Sequence, residues 1–262
     1  MNHRTRYCLV GAFCALGSTA FAAPVILTNQ GFESGDLTGW ATTGDVTVSA
    51  STKVTTFDGT ELSVLPFQKK MAQLVSLDSN KTALDTFFEL QNATSEIRNN
   101  LFLLPQGFTK DQFVSEFYNG SGIQQSFSGN KDDVVTQYWN FFSRENAADR
   151  YLDQNGDPTI PTNDTAFAVI TDSNQQSSLF LLANTQGVRQ SGYSDWQRFD
   201  YALPADGTYT ISFGVVNWRD DYIDALLFVD DGIPVSEPAS LALLGIGLAG
   251  LGSLRRKKLQ RR

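Results

Sequence analysis

The chain has 262 residues, with 20 Lys/Arg against 28 Asp/Glu, two cysteines and one histidine. His3, Cys8 and Cys14 all fall within the first 14 residues. Everything after them lacks the ligands of ordinary zinc and copper sites, a thiol nucleophile, an internal disulfide and a Ser-His-Asp triad.

The chain opens with Arg4 and Arg6, then a mostly apolar run over 7–19, then Ala20-Phe21-Ala22. A positive stretch, an apolar stretch and an A-x-A site make a secretory signal, with cleavage expected after Ala22. Signal peptidase and the Sec machinery are the partners this implies. The other end carries six cations after residue 254. Without Arg4, Arg6, those six and Glu237, 12 Lys/Arg and 27 Asp/Glu remain, a net charge of −15 against −8 for the whole chain. Such a body repels nucleic acid and suits a soluble exported domain or divalent cations.

The body, residues 23–234, is of ordinary size for one all-β domain. Its start reads Asn29-Gln30-Gly31-Phe32-Glu33-Ser34-Gly35-Asp36-Leu37-Thr38-Gly39-Trp40. Residues 45–50 alternate, and 71–77 do so loosely. A helical insertion is expected over about 82–118. Within it Leu84, Phe87, Phe88 and Leu90 share a near-helical stripe, and Thr109 stands as N-cap ahead of Phe113, Val114 and Phe117. Strands follow at 122–128, 133–143, 166–171, 178–183 and 196–203. After the turn Pro204-Ala205-Asp206-Gly207, residues 208–216 place Tyr209, Ile211, Phe213 and Val215 on one face. Thr208, Thr210 and Ser212 take the other, as a half-buried antiparallel strand requires. A last strand is expected over 222–229. The fold class is therefore all-β: an antiparallel β-sandwich, jelly-roll-like, with a short helical insertion.

The tail, 235–262, comes in three parts. Val235-Ser236-Glu237-Pro238 precedes a helix candidate, 239–254, and a basic end, 255–262. The 16 uncharged residues of that helix would rise roughly 24 Å, near the lower limit for a hydrocarbon core of roughly 30 Å. The cations behind it favour the cytoplasmic side. This order resembles the sorting tail of bacterial PEP-CTERM proteins, with Ser236 in place of the first proline and Glu237-Pro238 kept. The resemblance implies export, transient anchoring in the inner membrane and cleavage near Glu237 and Pro238 by an exosortase. It also implies display on the cell surface or outside it, and association with exopolysaccharide and biofilm.

The start motif resembles the opening of jelly-roll carbohydrate-binding modules, and 224–233 resembles their closing strand. That resemblance implies a structural Ca²⁺ held by Glu33 with one or more of Asp224, Asp230 and Asp231; turn-forming and strand-ending roles stay open for the same residues. A second acidic loop, Asp153-Gln154-Asn155-Gly156-Asp157-Pro158, has partial calcium-loop spacing with Asp164 at position 12, but reads better as a turn. Trp40 and Trp139 are expected in the core, and one of Trp196 and Trp218 at the surface as a sugar-stacking candidate. Glu61, Glu89, Glu96, Glu116 and Glu145 sit in no motif tied to a reaction. No catalytic or cofactor-binding residue is assigned, and the reading is a non-catalytic surface or matrix protein. A lectin-like module is the alternative, and an enzyme acting on polysaccharide the third reading.

Overall fold

The computed structural model describes residues 22–56, 59–98, 109–145, 150–152, 158–161, 163–188, 192–218 and 223–232. The signal run and the tail, including Glu237, Pro238 and 239–254, lie outside these. Among the described residues no helix is long and apolar enough to cross a membrane.

In chain order the strands begin with β1 (Pro24–Val25), β2 (Ala41–Thr43), β3 (Asp45–Ser49), β4 (Thr52–Thr55), β5 (Glu61–Val64), β6 (Met71–Val75) and β7 (Ser79–Asn80). Helix α1 (Lys81–Phe87), β8 (Ala93–Arg98) and helix α2 (Lys110–Ser115) come next. The long β9 (Phe117–Gly129) and β10 (Val134–Ser143) follow, then the short β11 (Arg150–Leu152) and β12 (Pro158–Pro161). β13 (Thr165–Thr171), β14 (Ser177–Asn184), α3 (Thr185–Val188), β15 (Gln197–Ala202), β16 (Gly207–Trp218) and β17 (Ala225–Asp230) complete it.

Two sheets face each other. The first runs β10-β17-β6-β3, with β15 and β1 also paired to β10. Tyr138 and Trp139 pair with both β15 and β17, so those two strands flank β10 on opposite edges. The second runs β2-β9-β16-β13-β14-β8, with β7 also on β9. All of these pairings are antiparallel except β1 with β10 and β14 with β8. The β-sandwich expected from the alternation is the fold observed.

The alternating face of β16 does what its pattern requires. Tyr209, Ile211, Phe213 and Val215 are buried between the sheets, with Ile123, Ala168 and Phe180 from the same sheet and Leu74, Phe141, Phe199 and Leu227 from the opposite one. Each buried Val, Leu, Ile or Phe among them is worth about 1.5–3 kcal/mol of apolar burial. Trp40 and Trp139 join this layer, as expected.

The helical insertion forms a second apolar layer on the outer face of the second sheet. Leu84, Phe88, Leu90, Phe113, Val114 and Phe117 pack on Phe167, Val169, Leu179, Leu181, Val216 and Trp218. Asn80 caps α1 by accepting from Ala83 N at 3.1 Å. Thr109 and Gln112 close a capping box on α2, confirming Thr109 as N-cap. The insertion is less helical than its stripes suggested. Phe117 already belongs to β9, and β8 runs between the helices, because β14 offers a free edge and β8 pairs with it.

A third layer covers part of the outer face of the first sheet. The β4–β5 hairpin inserts Val54 and Val64 against Met71, Phe142 and Phe228. This hairpin differs from the elements expected from sequence, since its strands are four residues each and only one side chain of each is buried.

Phe88 reaches the sheet only because two strand positions lack side chains. A Cβ at Gly214 would lie 2.5 Å from Phe88 Cζ and 2.6 Å from Phe167 Cζ, and one at Gly122 would overlap the Phe88 ring. Gly214→Ala is therefore expected to cost about 1–3 kcal/mol in urea unfolding, as overpacking does. Phe88→Leu in the same chain should recover part of that loss. A neutral Gly214→Ala would contradict this packing.

Candidate functional site

The start motif folds into a loop that satisfies itself. Asn29 and Phe32 adopt left-handed φ of 49° and 59°. The Asn29 side chain donates to Asp36 O at 2.9 Å and accepts from Ser34 N at 3.2 Å. The Asn29 backbone carbonyl accepts from Trp40 Nε1 at 3.2 Å, and the Phe32 and Trp40 rings lie 5.4 Å apart. Asp36 accepts from Ser34 Oγ at 2.6 Å and from Thr38 N at 3.0 Å. These bonds, the Ser34 hydroxyl first, hold its carboxyl below the usual range. The result is a rigid loop with Glu33 exposed on it.

Glu33 meets the far end of the chain through segment 65–70, between β5 and β6. Its Oε1 accepts from Lys69 N at 2.9 Å and from Lys70 N at 3.0 Å. Asp230, at the end of β17, accepts from Phe67 N at 2.8 Å and from Asp231 N at 2.7 Å. Asp231 Oδ2 lies 3.5 Å from Gln68 Nε2. Its Oδ1 is buried and has no hydrogen-bond partner among the described residues. Gly31 leaves room for this carboxylate, since a Cβ there would stand 2.6 Å from Asp231 Cγ.

Burial dominates the electrostatics. Asp230 is fully buried, and desolvation pushes its carboxyl up to about 7. Asp231 is raised as well, first by desolvation and further by the negative charge of Glu33.

Thus Glu33, Asp230 and Asp231 all bond to segment 65–70, whereas Asp224 lies apart. Asp224 precedes β17, six residues and roughly 20 Å of extended strand away from Asp230, and accepts from Asn217 Nδ2 at 3.2 Å. Among the described residues, no three His, Cys, Asp or Glu side chains are grouped closely enough to hold one ion. The donors present are all oxygens, the chemistry calcium takes, and Asp231 Oδ1 is a buried one without a hydrogen-bond partner among the described residues.

The same segment carries an aromatic patch. The Phe67 ring lies 5.0 Å from Tyr138 and 5.0 Å from Trp196. Trp196 Nε1 donates to Leu65 O at 3.0 Å. Leu65 is 59% exposed, and Phe67, Tyr138 and Trp196 are half-buried. Gln197 and Arg198 are exposed beside Trp196, and Arg198 Nε is paired with Asp200 at 2.9 Å. Trp218 is buried instead, with Nε1 donating to Phe113 O at 3.0 Å. Trp196 is therefore the surface tryptophan. Nothing in the pattern Leu65-Pro66-Phe67 marked it as part of this patch, since its partners come from strands far away in sequence.

The remaining candidates lie apart. Residues 153–157 are outside the described residues. Asp164 is buried, accepting from Trp218 N at 3.4 Å and donating its own N–H to Glu145 at 3.4 Å. Glu145 is buried too and accepts from Thr185 Oγ1 at 3.0 Å. Glu61 is exposed on β5, and Glu89 is a left-handed residue at the start of a short 3₁₀ turn, Leu90–Asn92. Ala22 is exposed just ahead of β1.

Three comparisons bear on the chain. A family model describing the PEP-CTERM protein-sorting motif matches residues 234–257, so the tail carries the motif it resembles. No curated protein matches the chain. Among solved structures, TmCBM61 in complex with β-1,4-galactotriose is 11% identical with a TM-score of 0.37, covering 78% of this chain and 93% of that one. A non-crystalline cellulose specific carbohydrate-binding module, CBM28, is 8% identical with a TM-score of 0.36, covering 80% and 96%. The CBM22-1 xylan-binding domain from Paenibacillus barcinonensis Xyn10C is 15% identical with a TM-score of 0.32, covering 82% and 100%.

The raised Asp230 carboxyl fixes a pH dependence. Between its ordinary value of 3.8 and about 7, the native state holds a proton that the unfolded chain releases. Stability is then greatest on the acid side of this window and falls as pH rises through 7. In chelator-treated protein the urea midpoint should be higher at pH 5 than at pH 8, and Asp230→Asn should flatten the difference. A midpoint that rises from pH 5 to pH 8 would contradict the assignment.

Proposed function

We propose that this is an exported, non-catalytic surface or matrix protein that binds exopolysaccharide through the patch of Leu65, Phe67, Tyr138 and Trp196. The observation that carries the reading is the partial exposure of these aromatic rings together, beside the exposed Leu65, on a body that is otherwise strongly acidic. Aromatic faces stack on the apolar faces of sugar rings, while neighbouring amide and charged groups bond to hydroxyls. Gln197 and Arg198 supply such groups here. The net negative charge favours a neutral glycan over a polyanion.

The route to the surface follows from the two ends. The Sec machinery would export the chain, and signal peptidase would cut after Ala22. The tail would hold the protein in the inner membrane until an exosortase cleaves near Glu237 and Pro238. Calcium is the cation proposed at Asp231, whose Oδ1 would be its ligand. Its role there is structural, offsetting the repulsion of carboxylates that tie the start motif to the end of β17.

Three measurements test these statements. In affinity electrophoresis through the producer's own polysaccharide, Trp196→Ala should weaken retardation about tenfold, the loss typical of a buried aromatic anchor; equal retardation of both proteins would end the glycan reading. Calcium should raise the melting temperature of the wild type at pH 8 and leave Asp231→Asn unmoved, and no effect on either removes the cation. Replacement of Glu237-Pro238 by Ala-Ala should leave uncleaved chain in the membrane fraction, whereas unchanged processing argues against sorting by this tail.

A further inference from the structure

Six residues, 65–70, carry two sets of contacts that belong to different parts of the molecule. One set builds the aromatic patch: Leu65 O fixes Trp196 Nε1 at 3.0 Å, and the Phe67 ring sits 5.0 Å from both Trp196 and Tyr138. The other set holds the segment in place. Phe67 N is bound by Asp230 at 2.8 Å, and Lys69 N and Lys70 N are both bound by a single oxygen of Glu33, at 2.9 and 3.0 Å. Residues 65–70 belong to no strand or helix, so these carboxylates replace the sheet partners that their N–H groups lack.

Glu33 differs from Asp230 in one respect. Asp230 is fully buried and ends a core strand, whereas Glu33 is exposed on a loop 36 residues away from Lys69. Its removal leaves no cavity in the core and no buried charge. What it does remove is the acceptor for two adjacent N–H groups, in charge-assisted bonds stronger than neutral ones.

We infer that Glu33 is a positioning residue for glycan binding. It clamps segment 65–70 so that Phe67 and Leu65 hold Trp196 in the orientation the patch requires. This rests on the patch being the glycan site. Without the clamp the segment gains freedom that binding must remove again, and affinity falls by that ordering cost. The function needed from Glu33 is hydrogen-bond acceptance, which an amide oxygen also supplies. Glu33→Gln should therefore behave nearly as the wild type, and Glu33→Ala should not.

Trp196 provides a readout that does not depend on ligand. Trp40, Trp139 and Trp218 are 7%, 7% and 2% exposed, so collisional quenching by acrylamide reports chiefly on Trp196. The full-length chain in mild detergent would be compared as wild type, Glu33→Ala and Glu33→Gln, at a temperature where all three show the same far-ultraviolet circular dichroism. Expected are a dissociation constant for polysaccharide about fivefold to tenfold higher in Glu33→Ala and stronger quenching of its Trp196, with Glu33→Gln restoring both. Unchanged quenching and affinity in Glu33→Ala would overturn the inference. So would a Glu33→Gln chain as impaired as Glu33→Ala, since charge rather than acceptance would then be what matters. If the wild type binds no polysaccharide, the glycan reading fails by itself, and the quenching comparison still decides whether Glu33 positions Trp196.

Discussion

Backbone N–H groups that leave a sheet must find other acceptors, and in this protein carboxylates supply them where the chain closes on itself. Glu33 and Asp230 together accept from Lys69, Lys70, Phe67 and Asp231. These bonds join the loop after β1, the segment between β5 and β6, and the end of β17. The arrangement is costly, because Asp230 is buried and its carboxyl is pushed far above its ordinary range. A buried carboxylate is stabilised here by backbone donors, with no cation of the chain beside it in the described residues. Its value is positional: it holds 65–70, and with it the half-buried rings of Phe67, Tyr138 and Trp196.

Layering explains why the patch lies at this margin. The second sheet is covered on its inner face by the main core and on part of its outer face by α1 and α2. The first sheet is covered on its outer face by the β4–β5 hairpin, where Phe142 and Phe228 are buried. Aromatic residues on those sheet positions are therefore used for packing. Phe67, Tyr138 and Trp196 stand where the hairpin cover ends, so each has one side against the protein and one toward solvent.

The sandwich was legible because strict alternation in β16 and the apolar run of β17 have few other solutions. Thr109 as N-cap was legible for the same kind of reason, since its hydroxyl and Gln112 satisfy each other locally. The resemblance named Glu33, Asp230 and Asp231 as calcium ligands, but their attachment to segment 65–70 left no trace in the sequence, and the separation of Asp224 needed the strand direction of β17. The β4–β5 hairpin and the role of Phe67 left no local signature. Their energetics arise from contacts with residues distant in sequence, such as Val54 with Phe228 and Phe67 with Trp196. A single Phe after a proline carries no trace of such partners.

Export, a carboxylate clamp and an aromatic surface converge on one proposal, that Trp196 is covered by glycan when the protein is bound. Acrylamide quenching of the full-length chain, with and without saturating polysaccharide from the producing cells, tests this most directly. Polysaccharide is expected to protect the tryptophan emission saturably, and Trp196→Phe to abolish the protected signal. Quenching that is identical in the free and polysaccharide-saturated states would contradict it.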